Sequence, residues 1–446
     1  MSNLNDDNHQ TASKLPYALR ALKHRNFQLF FAGQFVSLIG TWMQSVAQSW
    51  LIYRLTGSVV LLGLIGFASQ IPVFLLAPIG GVLADRINRQ RILVATQTIS
   101  MLLAFVLAAL TLADYVQEWH LFVLAALLGI VNAFDIPTRQ AFVVDMVGKE
   151  SLLNAIALNS SMFNGARIVG PAIAGILVAA IGEGWCFFAN AISYIAVIVG
   201  LLMMSVEFKP RRQTGSTISN IAEGFGFVAK TGPVRAILLL LGLISLMGMP
   251  YAVLMPIFAD KILGGGASAL GFLMGASGVG ALFAALSLAM RTSIKGLGRW
   301  VAFASAGLGV SLILFSFSTN FYLSAVLLVP VGFSMMIEMS SSNTLIQSMV
   351  PDELRGRVMS VYSMMFMGMA PIGALMAGAL AGYLGAPNTV ALGGAVCIVG
   401  AILFGLRLPA LRHEARELIV SLQQAGGEPT NPVSDEGSST LASNRA

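Results

Sequence analysis

The chain has 446 residues, of which 56% are hydrophobic and only 10% charged, with a formal net charge of +6. Soluble globular domains carry about 25% charged residues, so an ordinary cytosolic enzyme and a mostly disordered chain are both excluded. Cys186 and Cys397 cannot build a disulfide framework, and neither has a Cys or His at metal-ligand spacing.

Residues 1–25 are polar and charged with no apolar core, so no cleaved leader is expected. A bilayer core of about 30 Å needs about 20 apolar residues per helix. Twelve such stretches follow, near 27–53, 58–84, 92–113, 119–138, 156–181, 185–205, 234–259, 267–290, 300–318, 321–345, 359–384 and 388–408. Their length argues for helices, because barrel strands are about 10 residues long with alternating polarity. The fourth and tenth stretches carry polar residues near their C-terminal ends. The longest connection, 206–233, contains Lys209, Pro210, Arg211 and Arg212, then an amphipathic stretch from Ile218 to Lys230. It divides the chain into an N-terminal segment 1–25, a six-helix bundle 26–205, a linker 206–233, a second bundle 234–408 and a tail 409–446. The tail is rich in Gly, Ser, Asn and Glu and is expected to be disordered.

An even number of spans puts both termini on one side, and Lys and Arg fix which side. With the N-terminus cytoplasmic, 23 of the 26 basic residues fall in inner segments. Arg54 and Lys261 fall outside, and Arg167 lies within a span. The basic excess therefore marks orientation and contact with anionic lipid, not a nucleic-acid partner.

The chain also repeats. A shift of 203 residues brings Gly129 onto Gly332, Met146 onto Met349, Glu150 onto Glu353 and Met162 onto Met365. In the same register Gly165, Gly170 and Gly175 meet Gly368, Gly373 and Gly378, and Asp135 meets Glu338. A shift of 205 brings Gly66 and Phe67 onto Gly271 and Phe272. Two parallel six-span halves suit a transporter that rocks one half against the other around a midplane site.

The segment Gly81-Val82-Leu83-Ala84-Asp85-Arg86-Ile87-Asn88-Arg89-Gln90-Arg91 resembles the signature loop of the major facilitator superfamily. Gln90 stands where the pattern has a base. Three more stretches resemble its exporter branch, which includes the enterobactin exporter and the third drug:proton antiporter group. They are Arg25-Asn26-Phe27 through Gly40-Thr41-Trp42-Met43-Gln44, Asn132 through Gln140, and Pro351-Asp352-Glu353-Leu354-Arg355-Gly356-Arg357-Val358-Met359. The resemblance covers nearly all of 20–408. It implies an all-α integral membrane fold of twelve helices, and a conformational latch formed by Gly81, Asp85, Arg86, Arg89 and Arg91. Physically, Asp85 can approach the positive N-terminal end of the eleventh helix near Met359. Topology alone is the competing explanation of the bases. The corresponding loop, Met290 to Gly296, has no acidic residue, so one strong latch is expected. Gly165, Gly170, Pro171 and Gly175 resemble the Gly-Pro packing motif of antiporter fifth helices, with one glycine missing.

Asp135, Arg167 and Glu338 are the charges well inside spans, and such groups usually face a cavity or a partner. Asp135 is four residues from Arg139, a spacing that permits a same-face pair. Glu338 has no base nearby in sequence, which suits a group that takes up and releases protons. Asp135 and Glu338 are the proton-coupling candidates, and a structural hydrogen-bonded carboxyl stands level with that reading. Substrate-cavity candidates are Gln34, Trp42, Gln44, Gln48, Asn159, Asn164, Arg167, Tyr251 and Tyr362. Ten of the 22 methionines fall between Met335 and Met376, and Met suits surfaces that take varied apolar ligands. Arg167 adds either an attraction for an anionic group or a contact in helix packing.

The expected function is secondary active, proton-coupled export of small amphipathic compounds (drugs, a siderophore or another metabolite) by a monomer in the inner membrane. An uptake permease or lysolipid flippase in the same fold is the alternative, and a non-transporting sensor a more distant one. No enzyme, metal or cofactor is expected, and no Walker-type loop is present to supply ATP drive.

Overall fold

The structure, a computed structural model, describes residues 17–148, 150–206, 217–291 and 293–424. Lys209, Pro210, Arg211 and Arg212 of the linker, and Lys14, Lys149 and Arg445, which are among the 23 inner basic residues, lie outside them. A short 3-10 helix, Tyr17–Lys23, precedes α1 (Arg25–Thr56), α2 (Val59–Arg86), α3 (Arg89–Leu112), α4 (Glu118–Val147), α5 (Leu152–Ile181) and α6 (Glu183–Leu202). The linker carries α7 (Thr217–Lys230), and then come α8 (Gly232–Met247), α9 (Tyr251–Ile257), α10 (Gly266–Ala289), α11 (Leu297–Ser316), α12 (Phe321–Met349), α13 (Asp352–Leu384) and α14 (Ala386–Gln424). Among the described residues, twelve helices, counting Gly232–Ile262 as one, are long and apolar enough to cross a membrane.

Local chemistry sets the boundaries. Ser58, Asn88 and Asn320 each accept a backbone N–H at the start of their helices. Such caps satisfy donors that the first turn leaves free. Gly57 ends α1 with φ 59°, which a side chain disfavours.

Within the first half α1 packs on α5 and α6, α2 on α4, and α3 on α4 and α6. Within the second, α12 packs on α10 and α11, α14 on α8 and α11, and α13 on α8. Two crossings join the halves: α5 with α10, and α2 with α13.

The structure differs from expectation at two elements. The seventh span is not one rod: it breaks at Gly248–Met249–Pro250 and ends in a π-helical turn, Phe258–Ile262. Proline has no N–H to continue the ladder and clashes with the preceding turn. The last helix does not stop near 408 with a disordered tail beyond. It runs to Gln424, because Leu411, Ala415 and Ile419 recur at four-residue spacing and pack on the core of the second half. The rest of the tail lies outside the described residues. The linker helix α7 packs against α13 and α8.

Candidate functional site

Two glycines matched by the repeat, Gly175 and Gly378, lie on the seam between the halves. At the α5–α10 crossing, a Cβ on Gly175 would lie 3.0 Å from Gly271 Cα and 3.0 Å from Ser268 O. At the α2–α13 crossing, a Cβ on Gly378 would lie 3.0 Å from Gly63 Cα and 2.9 Å from Val59 O. Gly175 and Gly378 are repeat mates, so the two crossings are copies of one contact. Backbones this close need residues without side chains. Both crossings sit toward the end of the molecule that carries Gly57. Two side-chain hydrogen bonds cross the seam there: Tyr53 Oη donates to Asp260 Oδ2 at 3.0 Å, and Ser268 Oγ to Gly175 O at 3.2 Å. Arg54 grips Glu183 at 2.7 Å beside them, tying α1 to α6. Tyr53, Glu183, Ser268 and Asp260 were not legible as partners, since each pair is far apart in sequence.

The packing motif divides between two neighbours. Gly170 meets α1, where a Cβ would lie 2.5 Å from Trp42 Cβ and 2.8 Å from Ile39 O. Pro171 and Gly175 meet α10, whereas Gly165 has only Phe35 nearby at 3.7 Å.

At the opposite end, the signature loop is engaged within its own half. Arg89 is buried and forks between Asp145 Oδ2 at 2.7 Å and Asp85 Oδ1 at 3.0 Å. Asp145, on α4, was missed because nothing in its local sequence marks it. Asp85 therefore meets Arg89 of its own half here, while α13 directs Arg357 to Glu223 of α7. Arg86 and Arg91 are exposed. Gly80 packs tightly on Ala133 and Phe134 of α4, but a Cβ on Gly81 would meet open space. Gln90, in place of a base, donates to Leu201 O at 2.5 Å and Met204 O at 3.1 Å. An amide N–H suits this task because those carbonyls lie at and just beyond the C-terminal end of α6, where the helix supplies few donors.

The two intramembrane carboxyls differ in their surroundings. Asp135 is 1% exposed and points toward α3. Its Oδ1 accepts from Thr96 Oγ1 and Gln97 Nε2, each at 2.8 Å, and its Oδ2 pairs with Arg139. Glu338 is equally buried at 1%, but its hydrogen bond is from Ser342 Oγ at 3.3 Å. A shift of 203 residues carries Asp135 to Glu338 and Arg139 to Ser342. The repeat has kept the acid and replaced its cation by a hydroxyl. Tyr362 of α13 and Cys397 of α14 are electrostatic neighbours of Glu338, which places it inside the second half. The hydroxyl of Ser341 beside it is buried and has no hydrogen-bond partner.

The substrate-cavity candidates do not form one cluster. Gln44 accepts from Asn190 of α6 at 2.6 Å, and Asn164 donates to Ser160 O at 2.9 Å. Tyr251 Oη bonds Ser277 Oγ at 2.9 Å, and Tyr362 Oη donates to Met339 O at 3.0 Å. Those groups are held within their halves. Gln34 is buried, and Gln48 and Asn159 are half-buried. The structure brings Trp42 and Arg167 together, with the guanidinium 5.8 Å from the ring centroid. An apolar cavity walled by Leu246, Tyr251, Leu312, Met376 and Val390 lies within the second half, apart from that pair.

Comparison with known proteins follows the same fold. The family described as transmembrane secretion effector matches residues 17–431. The chain is 27% identical to the staphyloferrin A transporter of Staphylococcus aureus over 390 residues, 86% of this chain and 97% of that one. It is 28% identical to the multidrug efflux pump Tap of Mycolicibacterium fortuitum, over 84% of this chain and 93% of that one. It is 24% identical to the enterobactin exporter EntS of Escherichia coli K12, over 87% and 93% respectively. Among solved structures, the nucleoside transporter NupG superposes with TM-score 0.67 at 12% identity, covering 88% of this chain and 99% of that one. A bacterial homologue of the human lysosomal transporter Spinster, in an inward-facing and unoccupied conformation, superposes with TM-score 0.64 at 13% identity, covering 92% and 99%.

Proposed function

We propose, for a chain that belongs to the transmembrane secretion effector family of major facilitator transporters, a specific activity: proton-coupled export of an amphipathic siderophore or drug. The chain is a multi-pass membrane transporter, not an enzyme. Siderophore and drug transporters among its relatives support the substrate range.

The observation that carries the coupling is the broken symmetry of the carboxyls. Asp135 has its charge matched by Arg139, so it can stay ionised through the cycle. Glu338 has a hydroxyl in place of that cation, so within a low-dielectric interior its charge is unmatched. A carboxyl in that position responds to a proton more readily than one in an ion pair. Glu338 is therefore the coupling group, and Asp135 belongs to the scaffold of the first half. Both termini are cytoplasmic, the protein acts as a monomer, and the glycine crossings close the outer side in an inward-open state.

The test is reconstitution in liposomes with an imposed pH gradient. Glu338→Gln abolishes gradient-driven, uncoupler-sensitive transport while leaving counterflow exchange of substrate. Asp135→Asn lowers the yield of folded protein and leaves coupling in what remains. Gradient-driven transport by Glu338→Gln at the wild-type rate would falsify the assignment.

A further inference from the structure

Arg167 is a guanidinium well inside α5, and charges at that depth are costly unless matched. The nearest acids are committed elsewhere: buried Asp135 to Arg139, buried Glu183 to Arg54, and exposed Asp260 to Tyr53. Glu338 sits among α12, α13 and α14, in the other half. Among the described residues, no acidic side chain is within ion-pair distance of Arg167. Its contact is with an aromatic ring, Trp42, which is itself held edge-on by Phe163 with ring centroids 5.7 Å apart.

The position of Arg167 on α5 is set by its neighbours. Gly170 faces α1, where it meets Trp42 and Ile39. Ile168, Pro171 and Gly175 face α10, where a Cβ on Gly278 would lie 2.9 Å from Ile168 Cγ1 and 3.0 Å from Arg167 O. Arg167 falls between these faces on the helical wheel. The wheel directs its side chain, which contacts Trp42 of α1, toward the crevice between α1 of the first half and α10 of the second. The repeat places Ala370 at the matching position of α13. The packing role common to both halves thus needs no cation there.

We propose that this crevice binds the oxyanion of the substrate, so that the transported compounds are amphipaths bearing a carboxylate or a comparable planar oxyanion. The proposal rests on the transport reading above and names its substrate class. Trp42 covers one face of the guanidinium by a cation–π contact, which leaves the N–H edge for the ligand. A planar guanidinium edge matches a carboxylate with two parallel hydrogen bonds. The apolar body of the ligand then lies along Trp42 and Phe163. Because the crevice is built from both halves, rocking one against the other changes the surroundings of the bound anion.

Equilibrium binding tests this without any gradient. Radiolabelled 1-pyrenebutanoate and its neutral primary amide are measured by scintillation proximity on the immobilised full-length protein in detergent. The wild type is expected to prefer the anion by at least about tenfold, the size of one charge-assisted hydrogen bond. Benzoate competes with the bound anion and benzamide does not. Arg167→Gln removes the preference while keeping affinity for the amide and the melting temperature, and Arg167→Lys keeps part of it. The proposal is overturned if the wild type fails to bind the anion or shows no preference, or if Arg167→Gln retains the preference. It is also overturned if the variant weakens both probes equally along with the melting temperature, which is the signature of a packing residue. If Arg167→Gln does not fold, the benzoate-against-benzamide comparison on the wild type decides. Gradient-driven transport retained by Glu338→Gln, by contrast, would sink the coupling assignment and leave the anion site standing.

Discussion

Side chains of one type do different work here according to what the next helix offers them. Asp135 and Glu338 occupy matching places in the repeat, yet one has a cation four residues on and the other a serine. Removing Arg139 leaves a buried carboxylate without its counter-charge, a change that costs about 3 kcal/mol or more. Arg139→Ala is therefore expected to lower the melting temperature in detergent sharply, and the double change with Asp135→Asn to recover much of it. Additive losses in the two single variants and the double would show that the pair is not coupled. Restoring the cation in the other half is the converse experiment. Ser342→Arg would place a base four residues from Glu338, and the expected outcome is a folded protein that exchanges substrate but no longer follows the pH gradient. Pairing the charge removes the reason for Glu338 to exchange its proton.

Helices pack here through what they lack. At Gly175 and Gly378 an added Cβ would press on the backbone of the facing helix, and backbone cannot step aside as a flexible side chain can. Gly175→Val and Gly378→Val are expected to splay the seam at its Gly57 end and reduce transport at least about tenfold, since a 1 Å misplacement can cost 100-fold. Distance measurements between labels on α2 and α13 would show the widening, and an unchanged distance with normal transport would count against the crossing as the closing contact. The end of α14 behaves as an ordinary amphipathic element. Deleting the chain after Pro409 removes Leu411, Ala415 and Ile419, which are partly buried against the core, so each loss is smaller than the about 1.5–3 kcal/mol of a fully buried large aliphatic side chain. The expected result is a lower melting temperature, with substrate binding intact in the protein that remains folded.

The whole molecule is two six-helix units whose main contacts are two symmetric crossings. Val60 and Gly382 face each other across one of them, with Val60 Cγ2 3.5 Å from where a Cβ on Gly382 would sit. Cysteines at these two positions are expected to oxidise to a disulfide in substrate-free protein, stop transport, and release it on reduction. The native Cys186 and Cys397 are buried and free and do not compete. Failure to cross-link in the resting protein, or transport through the cross-link, would show that this seam does not open during the cycle. The signature loop gives the complementary reading at the other end. Asp85 is held by Arg89 in the same half here, and a latch to α13 requires it to exchange that partner when the halves rock.

Much of the architecture was legible in the chain itself. Twelve apolar runs define twelve helices because a bilayer interior allows few other ways to satisfy a backbone. The repeat register at 203 residues matched Gly175 with Gly378, and the structure showed that this matched pair bears the crossings. Local sequence also anticipated the Asp135–Arg139 pair, because four residues is one helical turn. The partners of the other charges were not legible. Asp145 beneath Arg89, Thr96 and Gln97 on Asp135, and Asp260 across from Tyr53 are joined by packing between distant segments, and no spacing rule reaches that far. The extra turns of α14 depended on what that helix found to pack against. Sequence determined the helices, their number and their symmetry, because hydrophobicity and helical period act locally. Only the tertiary structure decided which buried charges are matched, because that depends on which helix faces which.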